Sequence, residues 1–83
     1  MTEAALHSEQ QAQLATQELL KGNLAGAELM FRHLISSGTA GHAVYGNLAA
    51  ILQSTNRPDE VEGLLLKALE IQPSYPEAHN NLA

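Results

Sequence analysis

Laid over itself so that Leu14 falls on Leu48, this sequence registers without a gap. Leu48 in turn falls on Leu82, and Ala15 falls on Ala49 and Ala83. Gly22 meets Asn56, Ala27 meets Val61, Phe31 meets Leu65 and Ile35 meets Leu69. A pattern that returns at a fixed interval makes the chain fold into one kind of unit more than once. Units this short cannot bury their apolar faces alone, so neighbouring units must supply the core.

The apolar spacing predicts that each unit is a pair of helices. From Ser8 to Lys21, the residues Ala12, Leu14, Ala15, Leu19 and Leu20 recur at helical intervals. Gly22 supplies a left-handed stop. A second stretch, 24–36, carries Leu24, Ala27, Met30, Phe31, Leu34 and Ile35, and Ser36 to Gly41 breaks it. A third, 41–54, carries Val44, Tyr45, Leu48, Ala49, Ile51 and Leu52. Asn56 ends it, since asparagine tolerates the left-handed conformation. Pro58 suits the first turn of a fourth helix, where its missing N–H costs nothing. Asp59 and Glu60 complement the helix dipole there. Val61, Leu64, Leu65, Ala68 and Leu69 form that helix's stripe, Pro73 stops it and Pro76 opens another. Residues 1–7 read as a frayed lead-in, although Glu3-Ala4-Ala5-Leu6 can extend the first helix backward. The apolar content is leucine and alanine with only 4% aromatics, which favours helix over strand.

Paired helices returning every ~34 residues resemble the tetratricopeptide repeat (TPR), with its pattern W-x2-L-G-x2-Y, A-x3-F and a closing proline. Unit 2, residues 42–75, matches with Tyr45-x2-Leu48-Ala49-x2-Leu52, Val61-x3-Leu65 and Pro73. Unit 1, residues 8–41, keeps Leu14-Ala15 and Ala27-x3-Phe31. It departs at Gln11 and Glu18, where the family has aromatics, and at Thr39, where it has proline. Such departures suit a terminal repeat with a wet outer face. Residues 76–83 read as the truncated first helix of a third unit, with His79 in the aromatic position, so the expectation is a fragment of a longer chain, or a chain trimmed after the helix that covers the second hairpin. The resemblance implies an all-α fold, a right-handed superhelical solenoid of two helix-turn-helix hairpins plus a partial fifth helix. The alternative is an unrelated antiparallel four-helix bundle. A bundle has no need of equal spacing, or of the same small residue at Ala15, Ala49 and Ala83.

Residue chemistry points away from catalysis. The net charge is −5, and Lys21, Arg32, Arg57 and Lys67 are scattered, so no nucleic-acid stripe exists. There is no cysteine to make a disulfide or bind a metal as thiolate. No signal segment or membrane-length apolar run is visible, and the expectation is a cytoplasmic protein. His7, His33, His42 and His79 lack a histidine partner at metal-binding spacing. Ser36, Ser37, Ser54 and Ser74 fall at helix ends and turns, where turn chemistry accounts for them. G-x-G-x-x-G and the P-loop are both absent. The expectation is a protein that is not an enzyme and takes no cofactor or metal.

What remains is a surface. In TPR arrays the first helix of each pair lines a concave face that holds peptides or partner helices. The resemblance places Gln13, Asn47 and Asn81 there, at equivalent positions of successive units. Thr16 and Ala50 lie one turn on, with Gly46, Gln53 and Asn80 beside them. An amide side chain both donates and accepts, so a row of amides can pair with a peptide backbone whatever its side chains. This row is similar to the asparagine ladder in the repeat arm of O-linked N-acetylglucosamine transferases. The alternative is that these amides are solvated polar positions on an exposed helix face. A two-carboxylate clamp of the kind that grips chaperone tails does not fit. Ala12, Thr16, Glu77 and Asn81 replace its side chains and only Asn47 agrees, while the negative charge repels an acidic tail. The function expected is a non-catalytic interaction scaffold that binds a peptide segment or protein partner, with no nucleic acid and no membrane. Alternatives are the N-terminal repeat arm of a larger enzyme such as a glycosyltransferase, and self-association. Val61, Leu64 and the C-terminal end would leave apolar area open for the latter.

Overall fold

The computed structural model describes residues 3–74. Its described residues form four α-helices and one 3₁₀ turn, with no strand among them. They belong to two units, Met1–Ala40 and Gly41–Ala83.

In the first unit, α1 (Glu3–Leu20) packs against α2 (Leu24–Ser36). The helix begins at Glu3, so Glu3-Ala4-Ala5-Leu6 extends it backward from Ser8. Nothing between Glu3 and Ser8 breaks a helix, and Ala4, Ala5 and Leu6 propagate it well. Only Lys21, Gly22 and Asn23 separate the two helices, a connection short enough to fold α2 back along α1. Gly22 makes the reversal at φ +89°. Its N–H donates to the Leu19 carbonyl at 3.0 Å, and the Asn23 N–H donates to the Glu18 carbonyl at 2.9 Å. Carbonyls left open at the end of α1 are thereby satisfied. Asn23 then caps α2, its side chain accepting from the Gly26 N–H at 3.2 Å.

The second unit repeats this construction. Here α3 (His42–Ser54) packs against α4 (Val61–Ile71), and Pro58–Glu60 forms the 3₁₀ turn that leads into α4. Asn56, at φ 58°, takes the place of Gly22. Its N–H donates to the Gln53 carbonyl at 3.2 Å, and the Arg57 N–H donates to the Leu52 carbonyl at 2.8 Å. Each donor and each acceptor here is the repeat equivalent of its counterpart in the first turn: Gln53 of Leu19, Leu52 of Glu18, Arg57 of Asn23.

Burial follows the same register. Ala15 and Ala49 are both buried, as are Ala27 and Val61, Phe31 and Leu65, Leu34 and Ala68. The first helices diverge. Val44, Leu48, Ile51 and Leu52 are buried on α3, whereas Gln10, Leu14 and Gln17 of α1 are exposed and Glu18 is half-buried. Polar residues stand at three of those four α1 positions. The fourth, Leu14, is 51% exposed where Leu48 is 1%. Leu20, read from the sequence as part of the apolar stripe, is exposed as well. Val61, expected to leave open apolar surface, is instead buried, and the exposed apolar residues of α4 are Leu66 and Ile71. The expected fifth helix and third unit lie outside the described residues.

Candidate functional site

Each unit presents a polar arc on its first helix. On α3 the buried residues Val44, Gly46, Leu48, Ala49, Ile51 and Leu52 cover most of the circumference. What is left is Ala43, Ala50, Gln53 and Ser54, which are exposed, and His42, Tyr45 and Asn47, which are half-buried. Residues 43, 47, 50 and 54 lie on one line along a helix, because three- and four-residue steps return to the same face. Ala50 sits between the amides of Asn47 and Gln53 and adds no bulk.

The arc of α1 is the counterpart one period earlier. Gln13 is exposed and Thr16 half-buried. An open hollow of about 340 Å3 lies over Ala12, Gln13, Thr16 and Gln17. The Thr16 hydroxyl donates to the Ala12 carbonyl at 2.9 Å. Its proton is thus turned back onto the helix, leaving an oxygen that can accept. The Gln13 and Gln17 amides supply the donors in this hollow.

Of the residues expected to meet a partner, Gln13, Thr16, Asn47, Ala50 and Gln53 lie on these arcs. Gly46 does not, because it is buried on α3. It is one residue, about 100° of helical rotation, from Asn47, which turns it toward the packed side. Asn80 and Asn81 lie outside the described residues.

A second polar group sits at the turn between α1 and α2. Glu18 accepts from the Asn23 side-chain amide at 2.9 Å and from Lys21 Nζ at 3.4 Å. The Asn23 hydrogen bond, followed by the charge of Lys21, holds the Glu18 carboxyl below its ordinary value. Asn23 is thereby oriented with its amide nitrogen on Glu18 and its oxygen on Gly26. This cluster organises the turn, and sequence reading did not anticipate it. The signal was present in Glu18, a short step before an asparagine at the head of a helix.

His33 is exposed and His42 half-buried, and among the described residues no three His, Cys, Asp or Glu side chains gather to hold a metal. No helix among the described residues is long and apolar enough to cross a membrane.

No family model, curated protein or solved structure matches this chain.

Proposed function

We propose that the chain is a TPR-type helical-repeat module that binds an extended peptide segment of a protein partner through amides on the first helix of each unit, and that it performs no catalysis. One observation carries this reading. The same turn, a buried alanine and an amide recur at one constant interval: Gly22 and Asn56, Ala15 and Ala49, then the exposed Gln13 and the half-buried Asn47. A turn and a core explain the first two pairs. Neither requires an amide, and at the exposed Gln13 most residue types are tolerated within about 0.5 kcal/mol. A backbone ligand gives a reason for one, since amides pair with peptide groups irrespective of sequence.

The test begins with a peptide phage-display library selected on the full chain. A selected peptide should then bind Asn47→Ala and Gln13→Ala each about 5–10-fold more weakly, the loss of roughly 1 kcal/mol per hydrogen bond. Melting temperatures should stay within a few degrees. Selection of no peptide, or unchanged affinity in both variants, would overturn the reading.

A further inference from the structure

We draw no further inference here: the strongest candidate, the apolar hollow of about 280 Å3 lined by Gln11, Leu14, Leu29, Met30 and His33 on the α1–α2 pair, carries nothing because nothing in the structure shows what covers it.

Discussion

Gly22 and Asn56 hold the same place in successive units and both adopt positive φ, +89° and 58°, each closing a helix through the same pair of backbone hydrogen bonds. Two different residues occupy this position because only the backbone conformation is selected. Glycine reaches it without strain, and asparagine is among the few side chains that reach it at modest cost.

Gly22→Ala forces a Cβ into that left-handed turn. It should destabilise the protein by about 1–2 kcal/mol. Gly63, by contrast, is exposed on α4 with open space where a Cβ would stand. Gly63→Ala should stabilise by about 0.5–1 kcal/mol through helix propensity and a less entropic unfolded chain. Urea denaturation of the two variants checks the opposite signs.

Gly26 marks an exception to that rule. A Cβ there would lie 2.5 Å from the Asn23 amide nitrogen, inside the cap of α2. Gly26→Ala should therefore gain nothing from propensity, because Asn23 must leave its position. A cap of this kind is worth about 1 kcal/mol. Combining Gly26→Ala with Asn23→Ala should cost less than the sum of the two single changes, a non-additivity that a double-mutant cycle measures.

Leu14 and Leu48 are equivalent in sequence but not in burial, 51% against 1% exposed. Leu48→Ala should cost about 2–5 kcal/mol, enough to unfold a chain this small. Leu14→Ala should cost under about 1 kcal/mol, since half of its surface already meets water. Circular-dichroism melts distinguish the two outcomes; equal losses would contradict the burial described.

Glu18 makes the stability of the α1–α2 turn dependent on acid. Its carboxyl is held below the ordinary value in the folded state, chiefly by Asn23 and then by Lys21. The folded state thus favours the ionised form. The resulting stabilisation is fully present above the unfolded carboxylate value and is lost as pH falls through the lower folded value. Glu18→Gln should flatten that part of the profile while leaving other carboxylates to titrate. Melting temperatures recorded from neutral pH down through the carboxylate range give the comparison.

The helices and turns were legible because their causes are local. Gly22 and Asn56 declare a left-handed turn by residue type, and Pro58 declares an N-terminus. Phe31 and Leu65, equivalent positions that are both buried, were legible through the period alone. Three features were not, and each depends on what packs where. Gly46 and Asn47 are adjacent, and periodicity alone leaves the edge of a buried stripe uncertain by one residue. Val61 is apolar at the head of a helix, where burial depends on neighbouring surfaces rather than on its own chemistry. Leu14 and Leu48 carry one residue type in one register position, so only the polar residues Gln10, Gln17 and Glu18 around the first could have distinguished them. The exposure of Gln13 was legible, since a polar residue at a stripe's open edge stays in water, whereas Asn47 is half-buried.

The central claim, that these outward amides grip a peptide backbone, is tested most directly by nitrogen-15 NMR of the chain titrated with a selected peptide. The side-chain amide signals of Gln13 on α1, and of Asn47 and Gln53 on α3, should each shift and saturate as peptide is added, while the exposed residues Lys67 and Glu70 of α4 stay unmoved. Shifts confined to α2 and α4, with those three amides unchanged, would contradict it.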